Sequence, residues 1–166
     1  LAVVFTFMCA LPAMADDLVN QKTYTLTIDN PEAGHTYEAY QIFKGTFSTA
    51  EGKAATESYL SDIDWGTGVI TTGANYTAMI EALKNATPTL YDNGETLLAG
   101  VNDATKVAMA LSKLENMAQE VDKFNEIVGA HLTSTCAKAT ESQDKKTQVF
   151  EGLTAGYYLV KDVDNS

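Results

Sequence analysis

Cysteine, proline and positive charge are all scarce in this chain of 166 residues, and each scarcity removes a class of protein. Of its two cysteines, Cys9 lies in an apolar leader and Cys136 stands alone behind it. One remaining thiol builds neither a disulfide framework nor a metal cluster. With only three prolines and 45% hydrophobic residues, the composition is that of a folded domain rather than a long disordered tract. Lys and Arg total 11 against 22 Asp and Glu, a formal charge of −11, which argues against a nucleic-acid partner. The acidity signals solubility and names no ligand. No phosphate loop or nucleophile elbow is present, and nothing repeats internally. The carboxylates are scattered along loops and helix surfaces rather than set as an acid–base pair. No cofactor, metal or catalytic residue is therefore expected.

What is there begins with a leader. Leu1 to Ala15 carry no charge, and Leu1 to Leu11 are almost wholly apolar. Pro12 follows, and Ala13-Met14-Ala15 is a small-x-small pattern ahead of Asp16-Asp17. This is the apolar region and cleavage site of a secretory signal peptide, cut between Ala15 and Asp16. The run falls short of the roughly 20 apolar residues a membrane-spanning helix needs. Cys9 as a lipoprotein acceptor is disfavoured by the size of Met8. The initiating methionine and basic n-region are missing, so the signal is expected to be truncated. Residues 16–166 then form one domain of ordinary size.

Lys22 to Asp29 alternates, with Tyr24, Leu26 and Ile28 on one face and Thr23, Thr25 and Thr27 on the other, which predicts a half-buried strand. Asn30 to Gly34 has the composition of a turn. His35 to Phe43 reads as a second strand, apolar on both faces and therefore central, and the two are expected to form a hairpin. Lys44 to Tyr59 reads as a loop, and Leu60 to Ile70 as a short strand or turn around Trp65. Met79, Ile80, Leu83 and Ala86 share a face of a helix over 76–85, with Asn75 as its N-cap. A long helix is predicted from Asp103 to about His131, since Val107, Leu111, Leu114, Ala118, Val121, Phe124 and Val128 recur at three- and four-residue spacing. Gly129 is a point where it can break early. Ser134 to Lys146 reads as a polar loop, and Gln148–Phe150 and Gly156–Lys161 as strands. Strands at both ends with helices between them predict an α+β fold whose helices are an insertion covering one side of a sheet.

Several segments in order carry a resemblance. They are Tyr24–Ile28, His35-Thr-Tyr-Glu-Ala-Tyr-Gln-Ile-Phe43, Leu60-Ser-Asp-Ile-Asp-Trp-Gly-Thr-Gly-Val69, Phe124-Asn-Glu-Ile-Val-Gly-Ala-His-Leu132 and Gly152-Leu-Thr-Ala-Gly-Tyr-Tyr-Leu-Val-Lys-Asp162, behind a signal peptide. Together they resemble the N-terminal domain of Gram-positive, sortase-assembled backbone pilins and related isopeptide-forming fimbrial surface proteins. The resemblance implies an Ig-like β-sandwich with inserted helices, truncated here before its closing strand. It implies secretion to the cell surface and polymerisation by a class C sortase through a lysine on one subunit and a Leu-Pro-x-Thr-Gly-type signal on the next. It also implies attachment to peptidoglycan through the C-terminal region, neighbouring pilin subunits as partners, and a role in adhesion. The linking lysine and sorting signal are expected beyond Ser166. The alternative is a monomeric wall-anchored adhesin whose first module grips a host glycan or matrix protein. A secreted hydrolase is a third reading, and it would need a catalytic domain elsewhere.

An intramolecular isopeptide bond, as that resemblance implies, needs a lysine, an asparagine or aspartate, and a carboxylic acid buried together. Burial lowers the amine's pKa and raises the acid's, giving a nucleophile and a proton donor. Lys22, Lys44 and Lys161 are the strand-associated amines and Glu38 the candidate acid; as ordinary strand-end residues the lysines would simply be solvated. The asparagine is expected from a later strand. His131 and Cys136 lie close enough in sequence to suggest a thiol-protease pair, but His131 at a helix end is explained by the exposed carbonyls there. His35 stands near Asp29 and Glu32, a weak metal-ligand set. Trp65 is read as a buried ring closing one end of the core, with sugar stacking as the other possibility.

Overall fold

The computed structural model describes residues 23–49, 58–86, 104–112 and 118–165. The signal segment with its Ala15–Asp16 cleavage position, and Lys22, lie outside the described residues. The elements in chain order are β1 (Tyr24–Asp29), β2 (Tyr37–Thr49), β3 (Ser58–Trp65), α1 (Gly73–Lys84), α2 (Ala104–Ser112), α3 (Ala118–Gly129), β4 (Ala137–Lys138), β5 (Thr140–Glu141), β6 (Thr147–Leu153) and β7 (Gly156–Asp162). The fold is α+β with two antiparallel sheets. One has the order β1-β6-β5; in the other, β2 pairs with β7 along one edge and with β3 and β4 along the opposite one. The helices lie between β3 and β4 in sequence, as an insertion.

β2 organises the packing because both of its faces are apolar, so each must be covered. Tyr37 and Ala39 face the β1-β6 sheet and form a small core with Ile28, Phe150, Leu153 and Val160. Tyr40, Ile42 and Phe43 face the helices, in a larger core with Met79, Leu83, Val107, Phe124, Val128 and Leu159. A register shift between Gln41 and Phe43 opposite β7 lets the consecutive residues Ile42 and Phe43 both enter the helical core. β7 repeats the division with regular alternation, Leu159 serving one core and Val160 the other.

Two expectations are corrected. β1 and β2 do not form a hairpin: β1 pairs with β6, and the turn at Asn30–Thr36 carries the chain from one sheet to the other. Side-by-side pairing would have put the apolar face of β1 next to Tyr37 and Ala39 and left both in water; crossing over lets the two faces cover each other. Of the segment read as a loop, residues 44–49 and 58–59 are strand, since β2 runs on to Thr49 and pairs with β3 in the register Phe47↔Leu60, while residues 50–57 lie outside the described residues. There the strand rests on backbone pairing more than on burial, with Lys44 and Thr46 exposed. Within the predicted long helix the described residues form α2 and α3, with residues 113–117 outside the described residues, and α3 ends at Gly129, where the sequence allowed an early break. Two smaller differences follow: the N-cap of α1 is Thr72 rather than Asn75, and the polar stretch after Ser134 contributes the two-residue strands β4 and β5.

Around Phe43 the helical core is aromatic. Its ring stacks on Trp65 at a centroid distance of 5.1 Å and lies 6.4 Å from Phe124 and 5.9 Å from Tyr157. Beside it, Gly66 and Gly68 donate their N–H groups to the carbonyls of Ile42 and Gln41 at 2.8 and 2.9 Å. A Cβ at Gly66 would collide with the Gln41 carbonyl oxygen, and one at Gly68 would fall 2.6 Å from the Gln41 nitrogen. The Gly-Thr-Gly turn can thus lie flat against the irregular part of β2, where a side chain would force backbone apart.

Candidate functional site

Reactive side chains gather at one end of β2, on both of its faces. On the helical face, Glu38 lies opposite Lys161 of β7 on one side and Lys138 of β4 on the other. Directly opposed residues share a face, so Glu38 stands in register between two lysines. Two residues along the same strand, the Tyr40 hydroxyl donates to Glu38 Oε2 at 2.5 Å. Burial, and then this bond to an anion, push the phenol well above its ordinary value. Cys136, half-buried just before β4, packs against the same core. Burial of its thiol and the negative charge of Glu38 both raise its pKa, while the Tyr40 hydroxyl acts the other way.

The structure therefore brings together Glu38 and Lys161, two of the groups named from sequence. Lys44 stands apart: it is exposed and forms a solvent-facing ion pair with Asp64 at 3.4 Å. Its position lacks the burial that isopeptide chemistry requires of the amine. Cys136 is held as a neutral thiol, the opposite of what a cysteine nucleophile needs. Among the described residues no hydrogen bond joins it to His131, whose backbone N–H donates to the Val128 carbonyl at the end of α3.

The second cluster lies where β7 ends. His35 Nδ1 meets Asp162 Oδ2 at 2.8 Å, and the Asp162 side chain is only 1% exposed. Asp162 also accepts from the Asp164 N–H at 3.1 Å and from Asn165 Nδ2 at 2.9 Å. The Thr36 N–H donates to Asp164 Oδ2 at 2.6 Å, and the Val163 N–H to the Thr36 carbonyl at 2.9 Å. Asp162, rather than Asp29 or Glu32, supplies the carboxylate that bonds the His35 imidazole. No group of three or more potential metal ligands occurs among the described residues. The pairing escapes sequence reasoning because 127 positions separate the two residues. A histidine at a turn and an aspartate at a strand end carry no periodic signal.

Trp65 is buried, with its indole N–H donating to the Tyr76 hydroxyl at 3.0 Å and its ring against Phe43 and Tyr76. It offers no open face to a sugar, which removes the stacking alternative. Asn125 on α3, which the sequence pattern did not single out, is 1% exposed, and neither carboxamide atom has a hydrogen-bond partner among the described residues. No helix among the described residues is long and apolar enough to cross a membrane. No family model, curated protein or solved structure matches the chain.

Proposed function

We propose that this chain is a structural subunit of a cell-wall-anchored pilus, exported and covalently polymerised by a class C sortase, and that the fibre supports adhesion. The observation that carries the reading is how the segments behind the resemblance meet in space. Tyr37–Phe43 pairs with Gly156–Asp162, while Trp65 of the Leu60–Val69 segment stacks on Phe43. From the Phe124–Leu132 segment, Phe124 packs on the same ring and Leu132 bridges Val69. Tyr24–Ile28 closes the second core through Ile28. Five separated segments thus build the two cores on either side of β2 and β7, which supports treating them as a single pattern rather than five chance matches. The two antiparallel sheets with helices inserted between their strands are compatible with the sandwich that the resemblance implies.

The test is biochemical. The full gene product is produced in a Gram-positive host with and without a class C sortase, and boiled wall extracts are separated by denaturing electrophoresis. A ladder of covalent multimers that depends on the sortase is the expected outcome. A single wall-linked band that binds glycan or matrix protein selects the monomeric adhesin instead, and protein retained inside the cell overturns both.

A further inference from the structure

The cluster at the end of β7 joins that strand's exit to the start of β2 in a way that depends on charge. The chain leaves β7 through Asp162-Val163-Asp164-Asn165; Asp162 still pairs with Tyr37 in the ladder, and further hydrogen bonds tie this segment to residues 35–36 and to the buried Asp162 carboxylate. His35 supplies the side-chain link from the turn before β2. The titratable groups facing its ring are the carboxylates of Glu32, Asp162 and Asp164, with the Tyr37 phenol beside them accepting from the Glu32 N–H at 3.0 Å. Three anions surrounding one imidazole favour its protonated form.

We propose that His35 and Asp162 form a proton-operated latch that pins residues 162–165 to the start of β2, closed in mild acid and loosened as the imidazole loses its proton. The side-chain bond to Asp162 raises the imidazole's pKa above 6.5, with burial opposing and the three carboxylates adding to the rise. Burial alone would raise the Asp162 pKa, but the bonds from His35, the Asp164 N–H and Asn165 outweigh it and hold the carboxyl below 3.8. A group whose pKa is raised by a contact strengthens that contact below its free value, and the gain is lost as pH rises through the raised value. Asp162 behaves in the opposite sense, supporting the latch down to its own lowered value. The latch is therefore tightest between the two ordinary values, 3.8 and 6.5, and weakens on the alkaline side. By linkage, each pH unit by which closure raises the His35 pKa corresponds to about a tenfold change in the closing equilibrium.

The Thr36 and Val163 amides report closure, because both donate across the latch. Their hydrogen exchange is followed by NMR between pH 5 and 8 after correction for intrinsic exchange, alongside the His35 titration. Protection is expected to fall through the His35 titration by about tenfold for each pH unit that this titration lies above its ordinary value. The step is expected to vanish in His35→Gln. Asp162→Asn is expected to return His35 to an ordinary titration. Should Asp162→Asn fold poorly, Asp164→Ala serves instead: the Thr36 amide loses protection at every pH while the raised His35 titration persists. The proposal is overturned if His35 titrates at its ordinary value in the unaltered protein, or if the protection step survives in His35→Gln.

Discussion

Replacing Asn125 with leucine should stabilise this protein, although the site lies in the core beside Phe124 and Val128 and is 1% exposed. Both polar atoms of the carboxamide are buried without partners among the described residues. Leaving a polar group in that condition costs about 1–3 kcal/mol relative to one that keeps its bonds. Leucine has the same number of side-chain heavy atoms and the same branch point, removes the penalty, and has a helix propensity better by up to about 0.5 kcal/mol. Tetrahedral methyls are bulkier than a planar amide, and repacking returns part of the gain, up to about 1.5 kcal/mol for a swap of similar volume. The net expectation is stabilisation by about 1–2 kcal/mol, or a Tm rise of roughly 2–8 °C for a domain of this size. Urea denaturation followed by Trp65 fluorescence measures the first quantity and calorimetry the second. Asn125→Asp is the control: it keeps the shape but must bury either a charge or a protonated acid, so its stability should fall by several kcal/mol near neutral pH and recover partly in acid. If leucine instead destabilises by more than about 1 kcal/mol, the carboxamide makes bonds in the folded protein and the reasoning fails.

Trp65→Ala should cost about 3–5 kcal/mol by opening a cavity against Phe43, whereas Tyr76→Phe, which removes only the acceptor of the indole N–H, should cost about 1–3 kcal/mol. Chemical denaturation followed by circular dichroism separates the two, and equal losses would mean that the indole stabilises the fold through its hydrogen bond more than through ring packing. Gly68→Ala drives a Cβ to within 2.6 Å of backbone and should destabilise by several kcal/mol, while Gly129→Ala, with nothing within 4 Å, should be neutral or stabilising by about 0.5–1 kcal/mol. Thermal melts that rank the pair the other way would show that the Gly-Thr-Gly turn does not lie against β2. In protein lacking residues 1–15, Cys136 is the sole thiol, and its iodoacetamide reaction at pH 8 should be slower than that of free cysteine. Glu38→Gln removes the neighbouring negative charge and should speed that reaction several-fold; an unchanged rate would place the carboxylate too far away to act.

Local pattern decided which elements exist. The period-two alternation of Tyr24, Leu26 and Ile28 is a strand because alternate side chains of an extended chain share a face, and Ile28 is the buried end of that face. The apolar character of both faces around Tyr37–Phe43 marked β2 as central before any partner was known, and its residues divide between the two cores. Met79, Ile80 and Leu83 were readable as the buried face of α1 by their spacing. The stretch around Lys44–Thr49 was illegible for the converse reason: a strand held mostly by backbone bonds to its neighbour leaves little imprint on side-chain polarity.

Partner choice belonged to tertiary structure alone. Side-chain periodicity repeats within a few residues and says which face is apolar, but the face that covers it is found anywhere in the chain. β1 takes the far strand β6 rather than the adjacent β2 as its ladder partner, because crossing between sheets lets the apolar faces of β1 and β2 cover each other where a hairpin would bury neither. The same distance hid the meeting of His35 with Asp162 and of Glu38 with Lys161, since a charged side chain carries no signal of its partner's position. The sequence determined what each segment could become, and the matching of buried faces across the fold decided what each would touch.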